Sequence, residues 1–197
     1  MTTSPPSEAA LRLVLDTSVF TNPDSARHWG DGAAAAVAAF VREARALEGR
    51  LECHMPPLVH EELKTFVGEG GIPADFELAV QLKAPNRYRV EVPGFLLYEL
   101  IDDIRSRIDR GLRVAEKAVR ETHPTNVDRT IQRLRDQYRA ALRSGLLDSK
   151  EDVDLILLAQ ELGAALVSSD RGVVTWAEKL GIRLLPPDNL RGVLDSL

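Results

Sequence analysis

The strongest constraint on this chain is an alternation of short apolar runs with longer helical patterns. Leu11–Leu15 (LRLVL) is a short apolar run followed by turn formers and predicts a buried strand. Leu51–Met55, Tyr88–Val92, Ala164–Ser168 (AALVS) and Ile182–Leu185 are read as further strands. Between them the sequence predicts helices over Ala33–Leu47, with Asp31 as N-cap, and from Pro56-Pro57 to Val67, stopped by Gly68, Gly70 and Gly71. More helices are expected over Pro73–Ala84, Asp148–Leu162 and Gly172–Leu180, with a loop from Asp16 to Asp31. Helices alternating with short apolar strands imply an α/β fold, a parallel sheet covered on both faces.

One stretch breaks the pattern. Leu97, Ile101, Ile104, Ile108, Gly111/Leu112, Ala115 and Ala118 recur at steps of three and four, a narrow apolar stripe on a long helix. His123-Pro124-Thr125-Asn126 interrupts it, and Val127, Ile131, Leu134, Tyr138 and Ala141/Leu142 repeat it. The prediction is an antiparallel helical hairpin. Its stripe is too long for two helices to cover, so the hairpin is expected to pack against a second copy of the chain.

At 197 residues the chain is one domain, or one with an elaboration, and can bury a core without disulfide or metal staples. Cys53 is the only cysteine, which excludes an intramolecular disulfide and a Cys-based zinc site. His28, His54, His60 and His123 show no ligand spacing to one another. No apolar run is long enough to span a bilayer, and MTTSPPSEAA has neither a basic nor an apolar signal region. A cytoplasmic protein with no membrane partner is expected.

The net charge of −5 argues against non-specific coating of nucleic acid. It is unevenly spread. Glu99–Arg143 carries eleven basic and eight acidic residues, a net +3, and the remainder is −8. Arg105, Arg107, Arg110, Arg113, Arg129, Arg133, Arg135 and Arg139 lie off the apolar stripe. A solvated face with Arg–acid pairs at helical spacing explains most such residues singly. Their concentration hints at a local surface that faces a polyanion.

Ligands of open parallel sheets collect at the carboxyl ends of the strands. Asp16 and Asp170 each follow an apolar run and are expected there, against the plainer role of turn or N-cap aspartates. Asp148-Ser149-Lys150-Glu151-Asp152-Val153-Asp154 puts four acids at a helix start, where the helix dipole already favours them. Asp148 and Asp152 are four apart and share a face, while Asp154 is rotated away by roughly 200° and stands in reserve. Glu62, a turn from Leu58 and Phe66, is a fifth candidate, with Glu61 toward solvent. Converging carboxylates without His or Cys suit Mg²⁺ or Mn²⁺. Two such ions can activate water and stabilise the leaving oxygen of a phosphodiester.

The series LVLDTS, Glu61-Glu62-Leu63, Asp152 and Asp154 before an apolar helix, and LVSSD ending at Asp170 resembles the PIN-domain nucleases. LVLDTSVFTNPD, RSRIDRGLRVAEKAVRE and KEDVDLILLAQELGAALVSSDRGVVTWAEKLGIRLL extend the similarity along nearly the whole chain. They resemble the minimal protein-only RNase P family, the HARP group once described as RNA ligase partner proteins. The resemblance implies a PIN-like three-layer fold, with a central parallel sheet over residues 10–94 and 145–197, an inserted antiparallel helical hairpin over 95–144, and a loose tail over 1–9. It implies a metal-dependent endoribonuclease that removes the 5′ leader of precursor tRNA and assembles through its hairpin into large homo-oligomers. It places the four catalytic, metal-binding aspartates on Asp16, Asp148, Asp152 and Asp170, and the general PIN pattern adds Glu62. The competing readings are a non-catalytic RNA-processing or RNA ligase partner protein, and a PIN toxin-type RNase, although toxins are usually shorter and lack a long hairpin.

Overall fold

The computed structural model describes residues 10–68, 71–89, 91–143 and 149–197. In chain order it forms β1 (Leu11–Leu15), α1 (Ser18–Thr21), α2 (Pro23–Ala26), α3 (Ala33–Ala46), β2 (Leu51–Met55), α4 (Pro57–Val67), α5 (Phe76–Ala79) and β3 (Val80–Leu82). There follow α6 (Phe95–Arg120), α7 (Val127–Arg143), α8 (Lys150–Leu162), β4 (Ala165–Val167), α9 (Arg171–Lys179), β5 (Leu184–Leu185) and α10 (Pro187–Asp195). They divide into two compact units: the described residues up to 89 with 149–197, and 91–143.

In the first unit the strands form one all-parallel sheet in the order β3-β2-β1-β4-β5. Leu13, Val14 and Leu15 of the central strand are fully buried, as a strand covered on both faces requires. Phe20, Trp29 and Phe40 form an edge-to-face cluster with centroids 5.4 and 5.5 Å apart, where α1 and the turn after α2 meet α3. The apolar side of α8 (Leu155, Ile156, Leu158, Ala159) packs on β1 and β4 and against α4 and α9. This is the three-layer α/β fold expected from the sequence. The order in which strands are added switches sides between β1 and β4, so their carboxyl ends open the crevice in which ligands of such folds bind.

Several expectations need correction. Pro73–Ala84 is not a helix. Only Phe76–Ala79 is helical, and Val80–Leu82 pairs with β2, Val80 opposite Cys53. Burying Val80 at the sheet edge outweighs the helical propensity of its neighbours. Tyr88–Val92 forms no strand among its described residues, and 87–89 is a turn. The loop after Asp16 contains α1 and α2, the second capped by Asn22. Asp31 does not cap α3. That position belongs to Gly32, whose φ of 88° suits glycine. The C-terminal α10 was not anticipated. It starts at Pro187 and buries Leu190 and Leu194.

The second unit is the hairpin of α6 and α7, packed against each other. Gly111 is buried at their closest approach, where an added Cβ would lie 2.6 Å from Cε2 of Tyr138. Asn126 closes the turn, accepting from the His123 N–H at 2.7 Å and donating to the Glu121 carbonyl at 3.2 Å. Leu97, Ile101, Ile104, Ile108 and Leu112 remain exposed along α6, as do Ile131 and Tyr138 along α7.

His54, on β2, is buried with neither ring nitrogen bonded to protein among the described residues. Burial holds its pKa below the usual 6.5, with Lys83 and Arg12 adding to the effect and Glu52 opposing it. The folded state therefore binds this proton less readily than the unfolded chain. Its stability is complete above pH 6.5 and declines as pH falls through that value. Urea midpoints at pH 7.5 and 5.5 should show a loss in the wild type that His54→Leu reduces.

Candidate active site

The carboxyl end of β1 delivers Asp16 to the crevice, and the pairing of Leu15 with Val167 sets Ser168 beside it. Asp16 is buried at 6% exposure. Its Oδ2 accepts from the hydroxyls of Ser18 and Ser168, both at 2.6 Å, and its Oδ1 from Thr17 Oγ1 at 3.3 Å. No Lys, Arg or His pairs with it among the described residues. The two strand ends are stitched together. The Ser169 N–H donates to Ser18 Oγ at 3.0 Å, Asn22 Nδ2 to Ser169 Oγ at 2.9 Å, and the Asp170 N–H to Ser168 Oγ at 3.0 Å. Sequence reasoning did not single out these hydroxyls, although they sit in the Asp-Thr-Ser and Ser-Ser-Asp runs that follow the strands.

Asp170 does cap α9. Its Oδ1 accepts from the N–H groups of Gly172 and Val173 at 2.7 and 3.0 Å. This fixes the carboxylate at the crevice mouth and leaves Oδ2 without a protein donor among the described residues. The cap role weighed for this residue is therefore compatible with a ligand role, since each uses a different oxygen.

Glu62 approaches from α4, with Thr17 Oγ1 3.5 Å from its Oε2. The predicted apolar neighbour Phe66 is in fact exposed, and α4 buries Val59, His60 and Leu63. Burial raises the Glu62 carboxyl above its usual range, and the charges of Asp16 and then Glu151 raise it further. Two carboxylates thus act on a third here. Glu151, counted in the acidic run but not favoured, belongs to this group. Glu61 points to solvent and pairs with Lys64 at 2.7 Å.

Ser149 caps α8, accepting from the Asp152 N–H at 3.0 Å, which puts Glu151 and Asp152 in its first turn. Asp148 lies outside the described residues. Asp154 is 2% exposed and turned toward Arg87, which donates from Nε at 2.9 Å and from Nη2 at 2.5 Å.

In the hairpin unit, Arg105, Arg113, Arg129, Arg133, Arg135 and Arg139 are exposed, and Arg133 pairs with Glu121 of the turn. Arg107 is engaged by Asp103 at 2.7 Å. Arg110 donates to Ser106.

A family model for PINc-domain ribonucleases matches residues 12–197. The chain is 51% identical over 189 residues to the RNA-free ribonuclease P of Thermococcus onnurineus, covering 95% of both chains. It is 49% identical to that of Pyrococcus abyssi (95% and 93% covered) and 44% identical to that of Thermodesulfovibrio yellowstonii (94% of both). The chain belongs to the RNA-free ribonuclease P family. Its fold and its class, an endoribonuclease, are those of its PINc relatives, as the resemblance implied.

PIN nuclease domains generally use divalent metal ions. The described residues contain no group of three or more His, Cys, Asp or Glu side chains that could already hold one. The donor chemistry nevertheless fits a hard cation. Among the described residues Asp16 has only hydroxyl donors, and the repulsion that Asp16 and Glu151 exert on Glu62 is what a cation would relieve. No helix among the described residues is long and apolar enough to cross a membrane.

Two measurements check this geometry. Asp170→Ala should lower unfolding stability by about 0.5–2 kcal/mol, and Asp170→Asn, which keeps the cap, by much less. Glu62→Gln should raise the metal-free Tm at neutral pH. The gain should vanish below pH 4.5, where the unfolded carboxyl is also protonated.

Proposed function

We propose that this chain is a metal-dependent endoribonuclease that removes the 5′ leader of precursor tRNA by phosphodiester hydrolysis. The observation that carries the reading is Asp16: a buried carboxylate with only hydroxyl donors among the described residues, close enough to Glu62 to raise the Glu62 carboxyl, as Glu151 also does. In this reading Asp16, Asp148, Asp152 and Asp170 hold one or two Mg²⁺ or Mn²⁺ ions, with Glu62 at the edge. Bound there, such ions would supply a nucleophilic water at neutral pH and stabilise the leaving oxygen. The hydroxyls of Ser18 and Ser168 fix the Asp16 carboxylate in one orientation, so it need not reorganise when the phosphodiester arrives. The α9 cap does the same for Asp170.

Residues 10–94 and 145–197 form the nuclease domain in this reading, and 95–144 the hairpin insert. Exposed arginines of α7, Arg129 and Arg133 first, contact tRNA phosphates. Duplex RNA hides its base edges in a deep major groove, so recognition goes by shape and serves many tRNA sequences. The exposed isoleucine stripe of α6 is covered by the hairpin of another copy, giving a large homo-oligomer. The protein acts in the cytoplasm, on freshly transcribed precursors.

Incubating the chain with leader-bearing precursor tRNA and Mg²⁺ should give a single cut at the mature 5′ end, and Asp16→Asn should abolish it with the fold retained. A chain that binds the precursor without cutting it would favour the non-catalytic partner reading. Cleavage of mature tRNA or mRNA instead would favour a toxin-type RNase. Reversing charge at both Arg129 and Arg133 should flatten the slope of log affinity against log salt by roughly two. Replacing Ile104 and Ile108 by Asp should lower the mass seen by light scattering. A monomeric wild type at micromolar concentration would rule out the assembly.

A further inference from the structure

The segment after β3 is strapped to α8 at two points. Arg87 grips Asp154 through both of its carboxylate oxygens. Glu161 accepts from Lys83 Nζ at 2.8 Å and from the Asn86 N–H at 2.7 Å. Asp154 and Glu161 are seven residues apart, two turns along one helix face.

The two anchors differ in kind. Glu161 lies at the exposed rim, where water can replace its partners. Asp154 is 2% exposed, and Arg87 is its only cationic partner among the described residues. A buried carboxylate deprived of its counter-ion is strongly destabilising, so the start of α8 cannot rotate without losing this pair. That first turn carries Glu151 and Asp152. The Ser149 cap fixes where the helix begins, and the Arg87 fork fixes which way its first turn faces.

We propose that Arg87 and Asp154 are positioning residues for the metal site: their bidentate pair holds the first turn of α8 so that Asp152 and Glu151 face Asp16. The proposal rests on reading Asp16, Asp152 and Asp170 as metal-binding. It gives Asp154 a role other than that of reserve ligand. Arg87 also neutralises one acid of the cluster from behind the helix, leaving the remaining charge on the side of the crevice.

The test is Mn²⁺ binding without RNA, followed by the electron paramagnetic resonance signal of the free ion, with thermal melts to confirm folding. Wild type, Arg87→Met, Arg87→Lys, Asp154→Asn and Glu161→Gln are compared. Arg87→Met and Asp154→Asn should each weaken Mn²⁺ binding by about tenfold or more, the usual effect of removing a residue that orients ligands. Arg87→Lys, which restores charge but not the fork, should recover part of the loss. Glu161→Gln, which loosens only the other anchor, should leave Mn²⁺ affinity unchanged even if the Tm falls. Wild-type affinity in Arg87→Met, or equal weakening by Arg87→Met and Glu161→Gln, would overturn the proposal. Weakening by Asp154→Asn alone would make Asp154 a ligand and overturn it too. Should Arg87→Met fail to fold, the near-isosteric Asp154→Asn and Arg87→Lys decide. No Mn²⁺ binding by the wild type would overturn the metal reading, and the proposal with it.

Discussion

Parallel pairing of β1 with β4 sets the geometry of the first unit. These strands are separated by about 150 residues of chain, yet Leu13–Leu15 run in step with Ala165–Val167. The pairing buries Leu13–Leu15 completely and marks the point at which the order of strands across the sheet turns back. It also brings Asp16 within hydrogen-bond reach of Ser168, and so creates a crevice with a carboxylate at its floor. Moving either strand by one residue would turn Asp16 or Ser168 to the other face and dissolve the arrangement.

An acidic crevice opposes its own formation. Asp16 and Glu151 each repel Glu62, and the folded chain offers no basic side chain to Asp16 among the described residues. What holds the group together is neutral: hydroxyls on Asp16, backbone N–H groups on Asp170, a serine cap on α8. Arg87 meets Asp154 on α8, two residues on from Asp152. The carboxylates of Asp16 and Asp170 are thus held in place by neutral donors.

The hairpin follows other rules. Gly111 admits the Tyr138 ring at its contact, and Leu97, Ile101, Ile104, Ile108 and Leu112 of α6 stay exposed. A helix pair that buries glycine and exposes isoleucine has not finished burying its apolar surface. Basic residues lie along both of its helices.

The sequence by itself determined the strands that lie deep in the sheet, the helices with clear periodicity, the hairpin and the placing of Asp16 and Asp170. These are legible because burial on two faces, a 3.6-residue period and an acid directly after an apolar run are local patterns. Where contacts distant in sequence competed with local preference, the reading failed. Val80 joined β2 although its neighbours favour helix, and the described residues of Tyr88–Val92 pair with no strand. Gly32 took the cap because the chain turns there with positive φ. Tertiary structure alone decided that Glu151 acts on Glu62, that Ser168 holds Asp16 and that Asp154 belongs to Arg87. Each is a meeting of side chains from separate elements, and charge and hydrogen bonding between them depend on distances that spacing along the chain does not encode.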